Sequence, residues 1–136
     1  MIAAVCDSNV YISAIVFGGV PRDVVVLGER AQVRLLVSPN LVSEVERVLA
    51  RKFGWEQRRV RQICQPLWES ARLLTPATDV SVCRDPQDNH LLALALDGEA
   101  EYIITGDRDL LVLSPFRDIL VETPAGFFAE KPWVAP

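Results

Sequence analysis

Only one histidine and three cysteines occur in the 136 residues, and no two cysteines stand in a C-x-x-C spacing. Cys6, Cys64 and Cys83 are odd in number and far apart, which excludes a disulfide framework. With His90 as the lone imidazole, a Cys/His zinc site is excluded too. Three thiols in a reducing cytosol is the simplest expectation. No run of about 18 apolar residues exists, so no membrane span is expected. Residues 2–5 are apolar but too short for a signal peptide, have no Lys or Arg before them, and run into Asp7. Gly18-Gly19 is followed by no Gly-Lys-Ser and so forms no phosphate loop. Repeats, low-complexity tracts and linkers are also missing.

What is present is a globular composition. With 50% hydrophobic and 24% charged residues the chain is not disordered. Its length suits one domain over 1–136. The net charge of −4 argues against a surface that is basic all over, yet the charge is unevenly placed. Six basic residues face only Glu56 between Arg47 and Arg61, whereas five face twelve acids from Gln62 onward.

Short apolar runs alternate with helical patterns. Runs at 2–6, 33–37, 80–83, 102–105 and 119–121 read as strands, and their lack of polar alternation suits a parallel sheet covered on both faces. Ser38-Pro39 reads as an N-cap followed by proline at the first helical position, and Leu41, Val42, Val45, Val48 and Leu49 form one stripe after it. Val60, Ile63, Cys64, Leu67, Trp68 and Ala71 form another, with Pro66 a potential kink. Asp85-Pro86 opens a helix carrying Leu91, Leu92, Ala95 and Leu96. Phe17-Gly18-Gly19-Val20-Pro21 reads as a turn between two helical pieces. The alternation predicts an α/β fold of three layers, α/β/α, around a mainly parallel sheet of about five strands.

In such a sheet, ligands bind beyond the carboxyl ends of the strands, where strand order reverses. Asp7 follows the first strand directly, Asp85 and Asp88 follow the run at 80–83, and Asp107 follows Thr105-Gly106. Each has a plain structural reading as well: Asp7, Asp85 and Asp107 are good helix N-caps, and Asp88 resembles a capping-box acid. Glu44 and Glu46 both border their apolar stripe, and periodicity does not choose between them. Jointly, the acids describe a crevice in which carboxylates raise one another's pKa unless a cation neutralises them. Oxygen-only ligands favour Mg²⁺ or Mn²⁺.

Four motifs carry a resemblance. Val5-Cys6-Asp7-Ser8-Asn9-Val10, Ser38-Pro39-Asn40-Leu41-Val42-Ser43-Glu44-Val45, Asp85-Pro86-Gln87-Asp88-Asn89-His90-Leu91 and Ile104-Thr105-Gly106-Asp107-Arg108-Asp109-Leu110 resemble, in order and across nearly the whole chain, a PIN domain. The similarity is to the toxin components of bacterial toxin–antitoxin systems, the VapC-like ribonucleases. It implies Mg²⁺- or Mn²⁺-dependent endoribonuclease chemistry. By position, Asp7, Glu44, Asp88 and Asp107 match the family's acidic quartet, Asp85 an extra acid of this group, and Ser8 and Thr105 small hydroxyls beside the metals. Asp109 is a further supporting acid. Here the family departs slightly: many members carry Asn where Asp107 stands, and their next acid falls one residue beyond Asp109. The match selects Glu44 over Glu46. It implies that Asp7, Asp88 and Asp107 surround one ion, and that Glu44 holds a second or orients the attacking water. A cognate antitoxin protein and assembly into dimers or larger are implied with it.

Arg51, Lys52, Arg58, Arg59 and Arg61 are expected to contact RNA phosphates, with Trp55 as a stacking surface. Phe17, Trp55 and Phe127-Phe128 read either as interface or as core. Two enzymatic rivals fail on residues. A phosphoacceptor receiver needs an Asp ending the middle strand and a Lys after the last, where this chain has Ser38-Pro39 and Glu122-Thr123-Pro124. A haloacid-dehalogenase-like phosphatase needs D-x-D, where this chain has Asp7-Ser8-Asn9. A non-catalytic module that binds a partner protein remains the alternative.

Overall fold

The computed structural model describes residues 1–134. Five strands form one all-parallel sheet: β1 (Ala3–Cys6), β2 (Arg34–Val37), β3 (Arg72–Leu73), β4 (Tyr102–Ile104) and β5 (Leu120–Glu122), in the spatial order β3-β2-β1-β4-β5. Around them are α1 (Ser8–Val16), α2 (Gly19–Glu29), α3 (Pro39–Arg51), α4 (Gln57–Ser70), α5 (Pro86–Asp97), α6 (Arg108–Leu111) and α7 (Pro124–Glu130). The chain steps outward from β1 to β3, then α5 carries it back across the sheet to β4. With right-handed crossovers, that reversal puts α5 on the face opposite the helices that link β1, β2 and β3. The reversal lies between β1 and β4, which pair through Val5↔Ile103 and Cys6↔Ile104.

Burial explains why the strand runs lack alternation. Ala4, Val5, Cys6, Leu36, Val37, Ile103 and Ile104 are fully enclosed, so both faces of the central strands select apolar side chains. Leu41, Val45 and Leu49 turn one face of α3 into the same core, and Val60 and Cys64 do so for α4. Each fully buried Leu, Ile or Val contributes roughly 1.5–3 kcal/mol of transfer free energy. Pro66 stands inside α4 rather than ending it. Between α1 and α2 the chain bends by 103°, made at Gly18 (φ 80°) and Gly19 (φ 67°), where a side chain would be strained. Among the described residues no single helix is long and apolar enough to cross a membrane.

Residues 80–83 are not a strand, contrary to their apolar pattern. The edge position beside β2 is taken by β3, whose two residues are exposed. The 80–83 segment belongs to an irregular connection held by α5. Asn89 clamps Cys83, accepting from its N–H at 2.8 Å and donating to its carbonyl at 3.0 Å. The Asp97 carboxylate likewise accepts from the Ala77 and Thr78 backbone. Val82 is left 56% exposed, so its hydrophobicity reports no sheet interior. The aromatic candidates divide. Phe127 is fully buried, edge-on to Tyr102 with ring centres 5.1 Å apart, whereas Phe17 is 76% exposed.

Candidate functional site

The site begins where β1 ends. Asp7 leaves the strand with its N–H donating to the Ile104 carbonyl at 3.1 Å, which holds it against β4. Its Oδ1 accepts from the Val10 N–H at 2.8 Å and so caps α1. Its Oδ2 accepts from the Thr105 hydroxyl. Asp7 is therefore both cap and buried acid, at 9% exposure. Thr105, fully enclosed, accepts in turn from the Asp107 N–H at 3.0 Å. One hydroxyl thus sets the spacing of the two strand-end aspartates.

Three further helix starts complete the crevice. Ser38 caps α3 by accepting from the Leu41 N–H at 3.1 Å. Asp85 caps α5, accepting from Gln87 N–H at 2.9 Å, and Asp107 caps α6, accepting from Asp109 N–H at 2.9 Å. Caps are satisfied by acids because the first turn of a helix leaves unpaired N–H donors and a positive dipole end. The same geometry gathers the acids. Asp7, Glu44, Asp85, Asp88 and Asp107 line one pocket of about 130 Å³, with no Lys or Arg in its wall.

The electrostatic strain is visible. Burial is the main cause that raises the pKa of Asp7; the Thr105 and Val10 bonds oppose it, and Asp107 and Glu44 add to it. Asp88 is pushed up to about 6, by desolvation first and then by Asp107 and Asp85. Burial also pushes up the half-exposed Cys83 thiol, helped by Asp88, Asp107 and two further acids. Burial comes first in each case, and neighbouring acids add to it. As they stand, no three Asp, Glu, His or Cys side chains among the described residues converge closely enough to hold one ion. The five acids nonetheless line the same pocket, and Asp88 and Asp107 approach within side-chain hydrogen-bond reach. The donor set is all oxygen, anionic and uncompensated, and therefore fits a hard divalent cation.

Glu44 and Glu46 separate cleanly. Glu44 faces the pocket, while Glu46 accepts from the Trp68 indole N–H at 3.1 Å and ties α3 to α4. Ser8 lines the pocket. Asp109 does not; it turns outward to pair with Arg84 at 3.3 Å, both side chains being well exposed. Asn9, Asn40, Gln87 and His90 also line the wall, and sequence reasoning did not single them out. The signal for the first two is position, each standing two residues after a cap. Gln87, His90, Leu91 and Leu94 share one helix face by their spacing.

The basic residues lie elsewhere. Arg51, Lys52, Arg58, Arg59 and Arg61 are exposed, and none lines the acidic pocket. They occupy the far end of α3 and the start of α4. Trp55 offers no open stacking face, because it packs partly against the core and the Arg59 guanidinium lies over its ring, 4.0 Å from the centre.

A family model described as a PIN domain matches residues 3–109. An uncharacterized protein of Methanocaldococcus jannaschii, MJ1680, is 32% identical over 142 residues, an alignment covering 95% of this chain and 91% of the relative.

Proposed function

We propose that this chain, which belongs to the PIN domain family and so to a family whose members are generally nucleases, is a divalent-metal-dependent endoribonuclease. One observation carries the reading. Carboxylates from four separate stretches of chain face a single pocket, at the point where strand order reverses, and no cationic side chain of the wall offsets them. A structural role explains each cap alone but not their convergence, which costs stability in the absence of a cation.

Asp7, Asp88 and Asp107 are the residues that would hold Mg²⁺ or Mn²⁺, with Asp85 at the rim. When bound, the ion supplies Lewis acidity toward phosphoryl oxygens and makes water a better nucleophile at neutral pH. The protein's part is positional. Thr105 fixes the Asp7 carboxylate, and α3 presents Glu44 from another wall. Glu44 would orient the attacking water and accept its proton as the water oxygen bonds to phosphorus, while the bond to O3′ breaks on the opposite side and the departing O3′ takes a proton from solvent. The neutral wall donors Ser8, Asn9 and Asn40 are suited to phosphate oxygens.

The cellular role that goes with this reading is the toxin of a toxin–antitoxin pair, acting on RNA with a cognate antitoxin and self-association as partners. The sequence motifs support it. The test of the activity is incubation of purified protein with varied RNAs, with and without Mn²⁺. Ion-dependent cleavage that Asp7→Asn abolishes is the expected result. Cleavage by Asp7→Asn at the normal rate overturns the assignment.

A further inference from the structure

We propose that the surface formed by the end of α3 and the start of α4 is a platform for single-stranded RNA, on which a base stacks against the Arg59 guanidinium with Trp55 as its backing plate. The proposal rests on the reading of RNA as substrate and adds to it where the strand lies and how it is gripped.

Six cations stand between Arg47 and Arg61 against the single acid Glu56. None is in an ion pair; among the described residues the one ion pair is Arg84–Asp109, elsewhere. The acids closest in sequence take neutral donors instead, Glu46 the Trp68 indole and Glu69 the Gln65 amide at 2.9 Å. The six cations are thereby left without ion pairs and repel one another, on a chain of net charge −4. A polyanion removes that repulsion.

Charge alone does not say which polyanion; the shape of the cations does. Arg59 is held over Trp55 at 4.0 Å from the ring centre, and Lys52 lies over Phe53 at 5.9 Å. Arg59 is exposed above the ring it covers, and a planar guanidinium is a surface on which an unstacked nucleobase can stack. On the same helix, Gln57, Arg58, Arg61, Gln62 and Gln65 line a shallow groove on a neighbouring face that Arg59 does not enter. Amides of this kind both donate to and accept from base edges, and the guanidiniums take phosphates. Bases in a duplex are already stacked and paired, so the arrangement favours a single strand over duplex or an acidic protein. The platform also continues from the candidate site. Glu44, Val48 and Arg51 follow one face of α3 at helical spacing, which puts Arg51 about 10 Å along the helix from Glu44.

The test is fluorescence anisotropy in EDTA, where cleavage is off, with a short labelled single-stranded RNA, its abasic counterpart and a duplex. Arg59→Lys keeps the charge and loses the plane. It is expected to weaken single-strand binding roughly tenfold, as loss of one stacked base does. The salt dependence should stay unchanged, and the abasic strand should bind wild type and variant alike. Trp55→Leu should reproduce the loss and Trp55→Phe restore part of it. Arg59→Lys binding the intact strand as tightly as wild type overturns the proposal. Wild type binding duplex as tightly as single strand overturns it too. Affinity untouched by neutralising Arg58, Arg59 and Arg61 together assigns the surface to something else, such as an acidic protein. Because no ion is present, this result stands apart from the nuclease reading, which is tested separately by Mn²⁺-dependent cleavage and its loss in Asp7→Asn.

Discussion

Thr105 donates its hydroxyl proton to the buried carboxylate of Asp7, a residue 98 positions away in the chain. The contact exists because β1 and β4 are neighbours in the sheet, and the same hydroxyl accepts from the Asp107 N–H. A side chain that looks like the last residue of a strand is thus the joint between two acids of the candidate site.

Thr105→Val keeps the shape and removes the joint. It leaves a buried carboxylate oxygen without its donor, a cost of about 1–3 kcal/mol, readable as a lower urea midpoint. One of the two bonds that oppose the rise in the Asp7 pKa is lost with it, so RNA cleavage should fall most steeply on the acid side. Thr105→Ser should restore both. Unchanged stability in the valine variant contradicts the role given to Thr105.

Asp7 serves two functions that substitution can divide. Asparagine caps helices about as well as aspartate, so Asp7→Asn should keep the α1 cap and the fold while abolishing cleavage. Asp7→Ala should abolish cleavage and also lower stability by about 1 kcal/mol more than Asn does. Equal thermal midpoints for the two variants would contradict the capping role.

Metal linkage provides a measurement that needs no substrate. At a hundredfold excess over its Kd, an ion that binds only the folded state adds about 2.7 kcal/mol, so Mn²⁺ should raise the thermal midpoint by several degrees. Asp7→Asn with Asp107→Asn should erase the gain. EDTA should return the wild type to its metal-free midpoint.

The pH dependence has a definite sign. In the fold, the Asp88 pKa is pushed up to about 6, above its unfolded value of about 4. Between those values the folded state binds more protons than the unfolded state, so stability falls as pH rises through that window and levels off above it. Asn does not titrate. In EDTA, the stability of Asp88→Asn relative to wild type should therefore be greater at pH 7 than at pH 5. A difference independent of pH, measured by chemical denaturation, contradicts the shift.

Much of this is legible in the chain because burial on both faces leaves a plain mark. The runs that form β1, β2 and β4 lie within a residue or two of apolar stretches without alternation, whereas β5 is an edge strand with Leu120 partly exposed and is marked by Ile119 and Val121 alone. The β3 edge is not marked. Arg72 and Leu73 are exposed, so no burial constrains their hydrophobicity, while residues 80–83 carry a strand-like pattern on backbone held by Asn89 instead of a neighbouring strand. Asp7, Asp85 and Asp107 stand out for a different reason: each caps a helix, and Asp7 and Asp107 do so just past a strand. Glu44 is not legible from spacing and stands apart from Glu46 only through the family resemblance. Side-chain direction was beyond reach. Nothing in spacing told that Asp109 points out to Arg84 or that Arg59 covers the ring of Trp55.

The two glutamates of α3 offer the sharpest separation of function from structure, because they are two residues apart and differ in what they touch. Glu44 faces the pocket, and Glu46 accepts from the half-buried Trp68 indole. Glu44→Gln removes a charge from a crowded negative wall. It should leave stability equal or slightly higher in EDTA, while cleavage falls by about a hundredfold or more, the range for loss of a general base. Glu46→Ala removes the acceptor from the indole N–H and one link between α3 and α4. It should lower stability by about 1–2 kcal/mol with cleavage by the remaining folded protein unchanged. Measured side by side, urea midpoints and Mn²⁺-dependent cleavage rates should move in opposite variants. If Glu46→Ala loses cleavage at full stability, or Glu44→Gln keeps it, the helix presents the wrong glutamate to the substrate and the assignment of the fourth acid fails.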